Sequence, residues 1–436
     1  MSTIENIKER FEQIQALNGN NDLGSLRASA FSDFKRLGIP SSRHEEWKYT
    51  RIASLFNKEY QFHNSQMPTG LTAADLDPFR LPGHENANEL VFVNGYFSFA
   101  LSGIRSASLV VLTLEDAVGG EHRELVLENL GHSRHLLNDG INALNTAFIK
   151  GGVFIHVRKG LEVEHPVYIY NITDARRSNI FSQPRSLVHV AENARVQIVE
   201  TYVTLGVAES FTNQVMETVV EKDAMVEYYK IQNDTNQSSQ VSTTHIRQKG
   251  KSHVHTVVIS LGAGMIRNNL NLVMEADHCE AHLYGLYFPS GNGHVDNHTI
   301  VDNVKPHCFS NEFYKGILDE NATGVFNGKI FVRQDAQKTN AYQSNKNILL
   351  SDTASVNTKP QLEIFADDVK CSHGCTIGRL DEVGLFYLRS RGISEKTAKA
   401  LLLHAFAVDI LEHIKPEALR TYVDEQISER LEYNIA

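Results

Sequence analysis

The β-rich part of the chain closes on PQLEIFADDVKCSHGC, residues 360–375, where a thiol, an imidazole and a second thiol stand at Cys371, His373 and Cys375. Sulfur and nitrogen donors of this kind suit transition-metal or sulfur chemistry. Leu362, Ile364 and Ala366 alternate as on a half-buried strand, and Asp367-Asp368 reads as a corner. Beyond that corner Val369, Cys371 and His373 share one face. Spacing opposes a closed metal site within the stretch. Side chains at i and i+4 of a strand lie roughly 13 Å apart, whereas two thiolates on one zinc must approach within about 4 Å. Gly374 could fold the chain back, but a fourth ligand is missing locally. A site completed by a second chain fits better; an inert cysteine beside a hydrogen-bonded histidine is the plainer alternative. An unperturbed thiol is only a few per cent thiolate at neutral pH. A reactive Cys371 therefore needs a nearby positive charge, which His373 supplies only when protonated.

A second histidine-rich stretch, residues 293–316, carries His294, Asp296, His298, Asp302, His307 and Cys308. The first three share a strand face, and the same span forbids one metal from taking all of them. One or two could serve as iron ligands or face a partner; a solvated strand face is the expectation. His156 and His189 are read as polar-face residues, Cys279 as a core thiol, and Trp47 as a core ring in preference to a docking anchor. Several engines are missing: no G-x(4)-G-K-[ST], no G-x-G-x-x-G opening a helix, no H-E-x-x-H and no G-x-S-x-G. ATP hydrolysis by this chain is not expected.

The elements that must hold these groups show in the periodicities. Ile4, Ile7, Phe11, Ile14 and Leu17, then Leu26, Ala30, Phe34 and Leu37, fall at helical spacing, broken by Asn18–Asn21. In SRHEEWKYT, Ser42 and Glu45 have capping-box spacing. Residues 61–88 read as a linker, Asn94-Gly95 as a hairpin turn, and residues 121–150 as partly helical. From 190 to 370 two β-alternating series interleave. One comprises ARVQIVE, AMVEYYK, HVHTVVIS and CEAHLYGLYF; the other runs from NQVMETVVEKDA through NEFYKGILDENA and AYQSNKNILLSDTA to QLEIFADD. Starts about 26–30 residues apart describe coils stacked into a β-helix with an apolar interior. After Cys375 come three helices, with Ser394 capping one and Pro416 opening the last. Ala398, Leu401, Leu402, Ala405, Val408 and Leu411 lie along one broad face that either caps the solenoid or docks a partner. This divides the chain into a helical region and linker at 1–88, a β-helix core at 89–376 and a helical domain at 377–436.

Composition narrows the class. At 436 residues the chain exceeds one compact core, and its net charge of −10 without a basic run argues against nucleic acid. No apolar run suits a membrane span, and the start does not read as a signal peptide. Four cysteines are too few for a disulfide framework, so a cytoplasmic location is expected.

Residues 311–374 and the LFYLRSRGISEKTAKALLLHAFAVDIL run at 385–411 resemble the SufB/SufD family of iron–sulfur cluster assembly proteins. The SRHEEWKYT segment is similar to the SufD branch of that family. The resemblance implies a mainly β fold, a right-handed parallel β-helix flanked by N-terminal and C-terminal α-helical domains. It implies a non-catalytic scaffold subunit in a heterodimer with SufB, with the ABC-type ATPase SufC docked on the C-terminal helices through Leu401, Leu402, Ala405 and Val408. A transient iron–sulfur cluster would form at the SufB interface with His373 and Cys371 contributing, and Cys375 either an added ligand or a small apolar substitute. ATP would bind SufC, not this chain; flavin association and homodimers of the isolated chain stay open. Two other readings remain. A SufB-type paralogue would receive sulfur, although this chain has no cysteine before Cys279. A β-helical polysaccharide lyase or hydrolase would use a pair such as Asp335 and Arg333.

Overall fold

The computed structural model describes residues 7–13, 22–62, 70–137 and 139–434. Its body follows from runs of β-branched and aromatic residues, each too short to bury its faces alone and each closed by a polar corner. Stacking supplies the missing partner. The strands form a ten-stranded and an eleven-stranded sheet, and from residue 195 onward successive strands alternate between the two. Parallel register pairs Ser210 with Ser238, Ser239 with Met265 and Met265 with His294 in one sheet. In the other it pairs Met225 with His253, His253 with Glu280 and Glu280 with Phe309. The structure is thus a parallel β-solenoid with helices at both ends of the sequence. Asn193, Asp223, His278, His307 and Lys338 adopt φ between 56° and 60° at its corners, a left-handed turn that lets the chain reverse between walls.

The repeat is correct in period but misassigned in one respect. NEFYKGILDENA and AYQSNKNILLSDTA belong to the ten-stranded sheet, continuing the first series. The second series instead continues through His294–Asn303 and Thr323–Val332 to Ser355–Ile364. Both walls carry the same alternation, so the pattern fixes the period without saying which wall a run joins. The interior also differs from a continuous apolar core. One stripe is apolar, including Val226, Tyr228, Val258 and Leu270. Beside it runs a polar stripe, in which Lys230 donates to Ser242 at 2.8 Å and Asn268 donates to Gln232 at 2.9 Å.

Neither outer face of the solenoid is left bare along its middle. On the ten-stranded sheet, Leu403, Ala407, Ile410, Val423 and Ile427 pack over Tyr229, Val257, Ile259 and Leu286. The C-terminal helices, Glu382–Ser390, Glu395–Leu411 and Glu417–Asn434, therefore flank the solenoid, and the second and third cover a wall. Ser394 caps as expected, accepting from the Thr397 amide. On the eleven-stranded sheet, Ile7, Phe11, Phe31 and Trp47 pack over Phe181, Phe211 and Val241. The helix Asp22–Leu37 ends at Gly38, whose φ of 67° terminates it. Ile4, Ile14, Leu17 and the Asn18–Asn21 break lie outside the described residues, as do 63–69 of the expected linker. Within that linker Gln61–Phe62 is a short strand paired in parallel with Ile180 and Phe181. The Asn94-Gly95 hairpin forms, pairing Val93 with Tyr96, and helices occupy Arg123–Asn129, Ser133–Leu137 and Gly140–Ala147.

The capping box at Ser42 does not form. Residues Glu45–Trp47 make a single 3-10 turn preceded by His44, without a side-chain cap. Glu45 pairs with Lys359 and Glu46 with Lys329, both on the sheet below. Those tertiary pairs lay the segment across the sheet, and the local cap loses its acceptor. Trp47 is a core ring, 2 % exposed, with the Arg267 guanidinium 4.1 Å from its centroid.

Candidate functional site at the open end of the solenoid

Both sheets finish together. Ser355–Ile364 is the edge strand of one and Lys370–Gly378 the edge strand of the other, joined by the bend at Asp367-Asp368. Register places Cys371 beside Ala341, His373 beside Gln343 and Cys375 beside Asn345. Ala341, Gln343 and Asn345 are buried, so the three chemistry-bearing residues continue an inward-facing row of the previous coil. Among the described residues no further coil covers them. Cys371 is half-buried against the core, while His373 and Cys375 are exposed. The expected row therefore exists, on one face and at an edge with free backbone groups.

Burial pushes the Cys371 thiol up, more than its backbone contact at Ala341 pulls it down. Behind His373, Gln343 donates at 2.5 Å to Glu312, whose carboxyl is pushed up to about 7 by burial. Cys371 and Cys375, the first and last members of the row, are roughly 13 Å apart along the strand, so one ion cannot take all three. Among the described residues no group of three His, Cys, Asp or Glu side chains is placed to hold a metal ion. The row presents two thiols and an imidazole at the free edge. Ile364, Phe365 and Ile377 add exposed apolar surface around it.

The second histidine stretch has a different fate, and the expected solvated face is overturned. Asp296 is fully buried, receiving Arg267 at 2.7 Å and the Thr50 hydroxyl. His294 Nε2 lies 2.8 Å from Thr50 Oγ1, and His298 lies 3.0 Å from Asp296 and 3.4 Å from Glu46. The 41–50 segment is what covers this face. Burial opposes charge on Asp296, but Arg267 and His298 outweigh it and hold the carboxylate well below its usual range. His307 sits at a corner, stacked on His278 at 4.8 Å, and Cys308 and Cys279 are core thiols. Asp302 grips Arg333 with two contacts of 2.8 Å, so the arginine of the lyase pair is already engaged. His156 and His189 do face outward, yet His189 is buried and their Nδ1 atoms meet at 3.0 Å.

The broad face of the Glu395–Leu411 helix is split. Ala398 and Leu411 are buried, whereas Leu401 and Ala405 are exposed and Leu402 and Val408 half-buried. Beside them the Glu382–Ser390 helix exposes Val383 at 78 %, Phe386 at 75 % and Tyr387 at 54 %. Sequence reasoning missed these three. The signal was present: a short helix with more apolar residues than one buried stripe needs.

Two family models divide the chain between them. The "SUF system FeS cluster assembly, SufBD core domain" matches residues 171–406, and the "SufBD protein N-terminal region" matches 4–169. This chain belongs to the SufBD family. Among SufBD relatives, the iron–sulfur cluster assembly protein SufD of Escherichia coli is 30% identical over 91% of this chain and 90% of its own length. A SufBD family protein of Synechocystis, slr0076, is 33% identical over 93% of this chain and 88% of its own. SufD of Bacillus subtilis is 24% identical over 69% of each. As a SufBD protein the chain is assigned to iron–sulfur cluster assembly. Among its described residues no helix is long and apolar enough to cross a membrane.

Proposed function

We propose that this SufBD chain is a non-catalytic scaffold subunit of the SufD type, which presents Cys371 and His373 at a seam with a SufB-type paralogue. One observation carries the reading: a row of soft donors lies at the end of two sheets that no described residue covers, with no third His, Cys, Asp or Glu placed to close around inorganic cargo. A paralogue adding its own strands to the two edges would cover the apolar rim and supply the missing ligands. Iron and sulfide are cargo in this scheme. Cys371 would need to lose its proton as iron approaches, and His373 would offer a neutral nitrogen.

Energy would come from a SufC-type ATPase docked on Leu401, Leu402, Ala405 and Val408 together with Val383, Phe386 and Tyr387. Four unpaired cysteines suit a cytoplasmic setting. The test is co-expression with SufB and SufC, followed by anaerobic iron and sulfide analysis of the purified complex. His373→Ala is expected to leave the complex assembled and to remove most of the cluster. An unchanged cluster content would refute the role of the row, and failure to co-purify would refute the partners.

A further inference from the structure

A cluster of imidazoles lies at the opposite end of the solenoid from Cys371. Strands Val153–Val157 and Arg185–Val190 are neighbours near the far end of the eleven-stranded sheet, and their parallel register sets His156 beside His189. The two Nδ1 atoms meet at 3.0 Å, with the ring planes 23° apart. His156 is only half-buried, and His122 keeps 15 % of its side chain exposed at the same margin.

Two neighbours decide where the protons sit. Nε2 of His189 lies 3.5 Å from the Glu221 carboxylate. That contact favours the proton on Nε2 and leaves the Nδ1 lone pair directed at His156. Burial, and after it His189 and His122, pull the His156 imidazole down to about 4, so the ring is neutral at pH 7. With its proton on Nδ1, His156 donates to His189; with the proton on Nε2, it presents a second lone pair at the same place.

The separation suits a shared ion. Two imidazole nitrogens, each about 2.05 Å from one ion, stand about 2.9 Å apart at a right angle and about 3.3 Å apart at a tetrahedral one. A small turn of either ring brings both lone pairs onto a point beside the Nδ1–Nδ1 line. His122 has its ring centroid 5.3 Å from that of His156, but the three rings do not converge on one point. An arriving ion therefore takes two protein nitrogens and completes its shell with water.

We propose that His156 and His189 chelate one divalent transition ion of the zinc, nickel or copper class through their Nδ1 atoms, with Glu221 as the positioning residue behind His189. Imidazole suits ions of this class. No net proton is released: the His156 proton passes from Nδ1 to Nε2 as the ion enters. The site shares no residue with the Cys371–His373 row and does not depend on the scaffold reading.

Nickel chloride is the probe, and the full chain is used throughout. Crystals soaked in it and measured at the nickel absorption edge should show an anomalous peak about 2.1 Å from both Nδ1 atoms. In calorimetric titration, His156→Asn and His189→Asn should each weaken nickel binding at least about tenfold, and Glu221→Gln about tenfold, with circular dichroism unchanged. His373→Ala should leave this nickel in place, which separates it from any ion on the open row. Should His189→Asn misfold, His156→Asn is read in its place, and the anomalous map needs no variant. The proposal falls if the map shows no nickel at the pair, or if the folded histidine variants bind nickel like wild type. In either case the 3.0 Å contact is a hydrogen bond and nothing more.

Discussion

Two rows of alternating residues invite comparison. His294, Asp296 and His298 on one strand and Cys371, His373 and Cys375 on another have the same i, i+2, i+4 spacing, with imidazole and carboxylate donors in the first and thiol and imidazole donors in the second. The first row lies beneath the 41–50 segment and has become a structural ion-pair cluster around Arg267. The second lies on the last coil, with no described residue above it. Spacing is common to both; cover and donor type separate them. A row that is buried and paired contributes to stability, whereas a row left open is available for chemistry.

The sharpest way to break this contrast is substitution within each row. Asp296→Ala strands a buried guanidinium and is expected to cost about 3–5 kcal/mol in urea unfolding. His373→Ala, on the exposed row, should stay within about 0.5 kcal/mol of wild type in the same assay. Comparable losses in the two variants would mean that the rows do not differ as described.

Acid should distinguish them next. His298, and after it Lys329, hold the Glu46 carboxylate at about 2, below its ordinary value, despite a contribution from burial in the opposite direction. A depressed folded-state pKa gives stability that is present above the unfolded pKa and lost as pH falls towards the folded one. Stability should therefore decline between roughly pH 5 and 2, partly through release of the 41–50 segment. Glu46→Gln should flatten that slope; an unaltered slope would assign the acid sensitivity elsewhere.

Smaller effects should separate the two thiols of the open row. Iodoacetamide should modify exposed Cys375 first, while Cys371 lags at pH 7 because burial raises its thiol pKa. Its rate should climb as pH passes the ordinary thiol range. Buried Cys279 and Cys308 should stay unmodified until unfolding. Peptide mass spectrometry reads all four, and faster labelling of Cys371 than Cys375 at pH 7 would contradict the burial difference. Least of all, Cys375→Ala should leave the thermal midpoint almost unchanged, as expected for a surface substitution.

Much of this molecule was legible in its residues. Alternation gave strands, a recurring interval gave stacked coils, and Ser394 marked a helix start through local backbone chemistry. These are decisions made within a few neighbours, by side-chain direction and by which backbone groups need a partner. The same reasoning placed Cys371, His373 and Cys375 on one face, because period two is a property of any strand. It could not assign residues 311–322 to their wall, since both walls read alike. Nor could it see that Glu45 and Glu46 would forgo a local cap for Lys359 and Lys329, more than 280 residues away. Which row is covered, which sheet edge stays free and which helix face remains bare depend on contacts between distant segments. Only packing of the whole chain sets these, because burial is a property of neighbours in space and not of neighbours in sequence.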